Sequence, residues 1–328
     1  MNFNIIKQFR EMPKRQYIDM HFSQSALDEL MITLASATQP DPMCAIVIGP
    51  SGSGKTSLVK VFANEANAHF KNPFAVVVVQ AKNILGDKTL HAGFLEAVGD
   101  LNPNSGTYDK MDERLRARIK HLGVQMVVFD DYHHVVEQRG DKSARKMSDS
   151  IKALCNQTNI SAVFVGVPGV EDILDINEQI DSRLPVRIYI PRPGILSESH
   201  RAEFINFINK YCETQQLKFD FDTSSDAMAF HFYCATNGNL RVLVNIFKRA
   251  RLRVLNEGRV VISKDDLAFV VAQMKPRHLL MTLKTKGAAK TMTRFTGKNS
   301  VVENGPALVV YPFVSDLPSI KRAIGVSK

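Results

Sequence analysis

Residues Gly49-Pro50-Ser51-Gly52-Ser53-Gly54-Lys55-Thr56 carry the pattern G-x-x-x-x-G-K-[ST]. The chemistry of such a run is phosphate binding. Its glycines let backbone N–H groups curl around phosphate oxygens, and the N-terminus of a following helix adds positive potential. The pattern carries this meaning only directly after a strand and before a helix. Both conditions hold here, because Cys44 to Ile48 reads as a strand and the residues from Lys55 read as an amphipathic helix. Lys55 is expected to reach the β- and γ-phosphates of ATP. Thr56 is expected to ligate Mg2+, and Ser57 to complete the phosphate-binding set.

A triphosphate site of this kind needs a carboxylate at the end of another core strand, to hold the magnesium through water. The stretch Met126-Val-Val-Phe129-Asp130-Asp131 supplies one. Asp130 is the expected magnesium residue, and Asp131 is placed to orient or deprotonate an attacking water. The plainer alternative for Asp131 is a strand-end cap. His133 and His134 follow closely. Adjacent residues of a helix or loop point apart, which argues against a shared metal and leaves a structural or γ-phosphate-sensing role for one of them.

The elements that position these groups follow from hydrophobic patterning. Cys44–Ile48, Phe74–Val79, Gln125–Phe129, Ser161–Val165 and Val186–Ile190 are short, almost wholly apolar runs, expected to be buried central strands. Between them, Lys55–Ala68, Thr89–Val98, Met111–Leu122 and Ala144–Asn156 repeat apolar residues every three or four positions, as crossover helices do. The fold class expected is therefore α/β, a parallel five-stranded sheet sandwiched by helices. Pro191-Arg-Pro193-Gly194 then breaks the chain. Beyond it, Ser199–Lys210, Ser224–Ala235, Leu240–Asn256 and Lys264–Met274 read as helices of a small second domain with no obvious strand. The expected organisation is an N-terminal arm at 1–22, the α/β domain at 23–191, a small helical domain at 192–275 and a tail at 276–328.

The tail is rich in Gly and Pro and is expected to be loosely ordered alone, with its brief apolar run Ala307–Val310 available as a strand or docking peptide on a partner. The net charge of +9 concentrates here, since residues 275–328 hold ten Lys/Arg against two Asp/Glu. A basic tail on a balanced body suits nucleic acid or an acidic partner, and equally a solvated surface. Cys44, Cys155, Cys212 and Cys234 are dispersed and form no C-x-x-C pair, which suggests neither a zinc site nor a disulfide framework and fits a reducing cytoplasm. No stretch has the length and apolarity of a membrane span.

The order of these motifs resembles that of the AAA+ P-loop ATPases of the initiator clade, in which the second domain is a helical lid. A more specific resemblance is to the TniB/TnsC family of transposition ATPases. It rests on Tyr17-Ile-Asp-Met-His21-Phe22, GPSGSGKTSLVKVF, DDYHHVV and VGVPGVEDIL, and covers roughly residues 15 to 275. The resemblance implies that Arg183, just before the last strand, is an arginine finger offered to a neighbouring subunit's γ-phosphate; a surface pair with Asp181 or Glu178 is the alternative. It implies that Arg241, three residues after Gly238, is the sensor that reaches the nucleotide; a plain exposed helix start is the alternative. Two positions depart from the family pattern. Asp131 stands where a Glu is usual, which implies slow or assembly-dependent hydrolysis, and Val167 stands where a Thr is frequent.

The function implied is an ATP-dependent regulator of DNA transposition, bacterial and DNA-associated. It would assemble with itself into a ring or filament on double-stranded DNA and connect a target selector of the TniQ type to the transposase. Phosphate contacts of this kind give affinity with little sequence preference. The candidate contacts are Arg114, Arg116, Arg118 and Lys120 before the Asp130 strand, and Arg139, Lys142, Arg145 and Lys146 after it. Solvated helix faces have the same composition. A DNA-independent signalling ATPase that switches partners with nucleotide is the competing reading.

Overall fold

The structure is a computed structural model. It describes residues 18, 20–38, 42–81, 84, 86–170, 186–274, 281–286, 289–294, 308–310, 312–314 and 316–323. The chain divides into two compact units, one of His21–Pro191 and one of Met1–Met20 with Arg192–Lys328.

The first unit opens with helix α1 (His21–Ala35), then alternates β1 (Ala45–Ile48), α2 (Lys55–His69), β2 (Val76–Gln80), α3 (Asp87–Ala97), α4 (Tyr108–Leu122), β3 (Met126–Asp130), α5 (His133–Thr158), β4 (Ser161–Gly166) and β5 (Val186–Tyr189). The strands form one parallel sheet in the order β2-β3-β4-β1-β5. Strands β1, β3 and β4 are buried along their whole length, which is why they read as unbroken apolar runs. β1 lies between β4 and β5, and β3 lies just beyond β4. The loop leaving β1 and the residues ending β3 therefore meet at the carboxyl edge of the sheet, where open α/β sheets place their ligands.

Two expectations are corrected here. β2 and β5 are the two edge strands of the sheet rather than central ones; β2 is still mostly buried, whereas in β5 only Ile188 is buried and Arg187 and Tyr189 are exposed. The β5 sequence, Val-Arg-Ile-Tyr, alternates in the manner of a half-covered strand. Helix α5 begins at His133, not near Ala144. Val135 and Met147 are both buried, but the polar stretch between them hides the continuity of the apolar face in the sequence. In α4, Met111, Leu115 and Ile119 are buried at four-residue spacing, and Gly123 ends the helix at φ 62°.

The second unit is a helical bundle of α6 (Glu198–Thr214), α7 (Asp226–Thr236), α8 (Leu240–Asn256) and α9 (Lys264–Gln273). Each helix begins on a side-chain cap, from Ser197, Ser225, Asn239 and Ser263 respectively. Phe204, Phe232 and Phe247 are fully buried in its core. Strands β6 (Lys218–Phe219) and β7 (Val261–Ile262) form a parallel pair that the sequence did not announce, because two residues are too few to display an alternation. In the tail, β8 (Met281–Lys286), β9 (Ala289–Arg294) and β10 (Leu308–Val310) form an antiparallel sheet, and α10 spans Leu317–Ala323. The tail was expected to be loosely ordered. Within its apolar run, available in the sequence as a strand or docking peptide on a partner, Leu308–Val310 pairs with β8 of its own chain. Among the described residues, no helix is long and apolar enough to cross a membrane.

Candidate functional site

The loop from Gly49 to Gly54 is shaped by positions that reject a side chain. A Cβ on Gly49 would lie 2.2 Å from the Ile190 carbonyl oxygen, and Gly52 and Gly54 hold φ values of 78° and 101°. Its ends are fixed by backbone bonds. Gly49 N–H donates to Gly166 at 3.2 Å, and the N–H groups of Ser57 and Leu58 donate to Gly54 at 2.9 and 3.0 Å, which starts α2. Ser51 is exposed at the rim, and Pro50, Gly52 and Gly54 are partly covered.

Lys55 is the first residue of α2 and is buried. Its Nζ donates to the carbonyl oxygens of Gly49 at 2.6 Å and Pro50 at 3.0 Å, so the ammonium sits under the loop that leads into its own helix. Thr56 Oγ1 donates to Asp130 Oδ1 at 3.2 Å. Asp130 also accepts from Asp131 N–H at 3.0 Å and, on its other oxygen, from Gln80 Nε2 at 3.4 Å. Asp130 is fully buried, and that burial, followed by the neighbouring Asp131 charge, raises its pKa above the usual carboxylate value.

Asp131 leaves the strand direction with φ 58°, a left-handed conformation that Asp tolerates better than most residues. The turn is held from both sides, since Tyr132 N–H donates to Val165 at 2.8 Å and the Tyr132 ring, fully buried, packs against Phe129 and Phe164. His133 and His134 open α5 with their rings packed at 4.1 Å between centroids, a correction to the expectation that they point apart. Among the described residues, no group of three or more His, Cys, Asp or Glu is arranged to hold a metal.

Gln80 was not foreseen. It stands directly opposite Asp130 in the β2–β3 register. The signal was available, because a Gln closes a strand otherwise made of valines. The second unexpected feature is Ser53, whose hydroxyl is buried inside the loop and has no hydrogen-bond partner. A buried hydroxyl left unpaired costs stability, and a phosphate oxygen would satisfy it. Together with the missing Cβ of Gly49, the buried ammonium and the oxygen pair of Thr56 and Asp130, this is a donor set that fits a triphosphate and a hard divalent cation.

The remaining candidates fall elsewhere. Arg183 lies outside the described residues. Arg241 is exposed on the first turn of α8, within the helical bundle. Gly238 before it holds φ 68°, and a Cβ there would meet the Pro193 carbonyl oxygen at 2.4 Å. Arg114 and Arg118 both place Nε on Asp100 Oδ2, at 3.1 and 3.0 Å, and Arg114 also donates to the carbonyls of Asn102 and Ser105. Arg116 pairs with Asp112 one turn earlier. Three of the four arginine and lysine candidates on α4 are thus engaged within the chain, whereas Lys120 is exposed. Arg139, Lys142, Arg145 and Lys146 lie on α5, and their side chains are outside the described set.

The family model described as "Bacterial TniB protein" matches residues 8–191. No curated protein matches the sequence. Among solved structures, the chain is similar to the Aeropyrum pernix ORC1 protein in complex with DNA (TM-score 0.59, 18% identity, 79% of this chain and 67% of that one). It is likewise similar to the Aeropyrum pernix ORC2 protein in its ADPNP-ADP complexes (TM-score 0.61, 14% identity, 79% and 70%). A third is Cdc6p from Pyrobaculum aerophilum (TM-score 0.58, 14% identity, 83% and 71%). At these identities the likeness establishes the fold alone, that of a P-loop NTPase.

Proposed function

The chain belongs to the TniB family, a family of AAA+ transposition-associated ATPases, and from that premise we propose that it is an ATP-dependent, DNA-binding regulator of transposition. It assembles with itself on target duplex and connects a TniQ-type target selector to the transposase. The observation that carries the nucleotide part is the cluster of buried Lys55 and Asp130, part-buried Thr56 and the unpaired, buried Ser53 hydroxyl at one glycine-shaped loop.

In this reading the loop N–H groups and Ser53 bind phosphate oxygens, and Lys55 turns from the Gly49 and Pro50 carbonyls to the β- and γ-phosphates. Thr56 and Asp130 hold Mg2+, which supplies neutralisation of phosphate charge when bound. Gln80 fixes the outer oxygen of Asp130, so that the inner one stays aimed at Thr56. Asp131, turned out of the strand, orients or deprotonates the attacking water. Arg183 completes the site of a neighbouring subunit, and Arg241 senses the nucleotide. Hydrolysis that waits for a neighbour makes bound ATP a mark of assembly, and its loss resets the complex.

The DNA part is supported by the family and by the basic tail. Of the neighbours, ORC1 was solved in complex with DNA and ORC2 with ADPNP and ADP. Co-sedimentation of the chain with linear duplex, with and without ATP, tests the whole reading. ATP-dependent pelleting that Lys55→Ala abolishes is the expected result. Pelleting that ignores nucleotide, or a nucleotide-binding chain that never pellets, would favour the DNA-independent switch.

A further inference from the structure

Part of the basic tail returns to the helical bundle and is held there by specific groups. Phe313 is almost wholly buried, with its ring stacked on His231 at 5.8 Å and set edge-on to Phe232 at 5.2 Å. Its backbone N–H donates to His231 Nδ1 at 3.2 Å, which requires an imidazole with that nitrogen unprotonated. Seven residues on, Ile320 is fully buried, and the ammonium of Lys321 lies 5.1 Å from the centre of the Phe230 ring. Between the anchors, Val314 is 71% exposed, and Asp316 and Pro318 are exposed as well.

This is the contact pattern of a peptide ligand: an aromatic anchor, one main-chain hydrogen bond, a second apolar anchor and open residues between them. Helix α10 has only seven residues, too few to be stable alone in water, so its order depends on docking. The ring contacts and the hydrogen bond named above are made by Phe230, His231 and Phe232 of α7, which is capped by Ser225 without the tail, while α10 packs on α7 and also against β8 and β10. β10 ends two residues before Pro312 and pairs with β8, so the segment would exchange together with its sheet, on the eight-residue connection from Gln273 to Met281, which spans on the order of 25 Å if extended.

We propose that this face of α7 is a peptide-docking site whose ligand is the segment 312–323, and that the same segment from a second copy of the chain can occupy it. An assembly of such chains would be stapled by exchanged tails, at a site separate from the loop that binds phosphate.

The test uses the full chain carrying Phe313→Ala and Ile320→Ala, which disables its own segment, and a fluorescent synthetic peptide of residues 311–324, titrated without nucleotide. Saturable binding is expected, about tenfold tighter than to the unmodified chain, whose own segment competes. A further His231→Ala change should weaken it by about tenfold. Absence of saturable binding to a disabled chain that keeps its circular dichroism and a cooperative melt would overturn the proposal. A second measurement avoids the disabling changes altogether. With a photocrosslinker at position 314, mixed heavy-isotope and light copies should yield heavy-to-light crosslinks onto α7. Crosslinks confined within single copies would refute exchange.

Discussion

The hydroxyl of Thr56 donates to Asp130 Oδ1 at 3.2 Å, tying the first turn of α2 to the last residue of β3. This bridge joins the phosphate loop to the carboxylate before any ligand arrives. Replacing Thr56 by Val removes the donor while keeping the shape. The change should cost about 1 kcal/mol of stability, the ordinary value of one such bond. It should also remove the gain in ATP affinity that Mg2+ provides, leaving affinity in EDTA nearly unchanged. Calorimetric titration with and without the metal measures both.

Asp130 shows the opposite energetic sign. Its pKa lies above the ordinary 3.8 because burial, and then the charge of Asp131, disfavour ionisation. The folded chain therefore retains a proton over a pH window in which the unfolded chain has lost it, and stability falls as pH rises through that window. At neutral pH the ionised carboxylate is a net cost. Asp130→Asn should raise the melting temperature of the metal-free chain at neutral pH and abolish Mg2+-dependent ATP binding. A lower melting temperature would contradict this account of the charge.

Ser53 should respond in a similar way for a different reason. Ser53→Ala removes a buried hydroxyl that has no partner, and should stabilise the ligand-free chain by about 1 kcal/mol. The same change should weaken ATP binding several-fold. A thermal melt with and without ATP would show the two effects crossing.

The arginines of α4 are separable by salt. Arg114 and Arg118 already share the nearly buried carboxylate of Asp100, so Asp100→Ala should destabilise the chain, by about 1 to 2 kcal/mol given the partial exposure of both arginines. Lys120→Ala should leave the melt unchanged. If α4 faces duplex, it should lower the slope of log affinity against log salt by about 0.9, the value of one phosphate contact.

For the tail, pH provides the handle. Burial, and then the charge of Lys264, lower the pKa of His231 below 6.5. Lys321 and Arg201, both set against the neighbouring Phe230 ring, add positive charge nearby. The unfolded chain binds the proton first, so the docked form is fully favoured above 6.5 and loses that advantage as pH falls through the lowered value. Amide exchange at Phe313 should accelerate on acidification through this range, while exchange within α8 stays slow.

Much of the first unit was legible because burial writes itself into sequence. The fully covered strands β1, β3 and β4 are unbroken apolar runs, and the α/β class with its parallel sheet followed from them. The edge position of β2 could not be read in the same way, because it is almost as fully covered as the central strands, and in β5 the alternation of Arg187 and Tyr189 is too short to stand out. The start of α5 was hidden by its polar middle turns. Asp130 and Lys55 announced themselves by spacing, but Gln80 did not, because its place opposite Asp130 depends on the pairing of strands some fifty residues apart. The pairing of Arg114 and Arg118 with Asp100 was invisible for a related reason. A sequence lists charges, whereas the fold decides which of them are already spent on each other.

The Ile190 carbonyl oxygen comes so close to Gly49 that no side chain fits between them, and Ile190 N–H is bonded to the Ile48 carbonyl at 2.7 Å. Pro191, the next residue, ends the first unit. The strand through which the chain leaves is therefore fastened to the last residue of β1 and seated against the first residue of the phosphate loop. Tension applied beyond Pro191 would load the junction between β1 and that loop first. Pulled from its C-terminal side, the molecule should lose its hold on phosphate at a lower force than the one that ruptures the sheet.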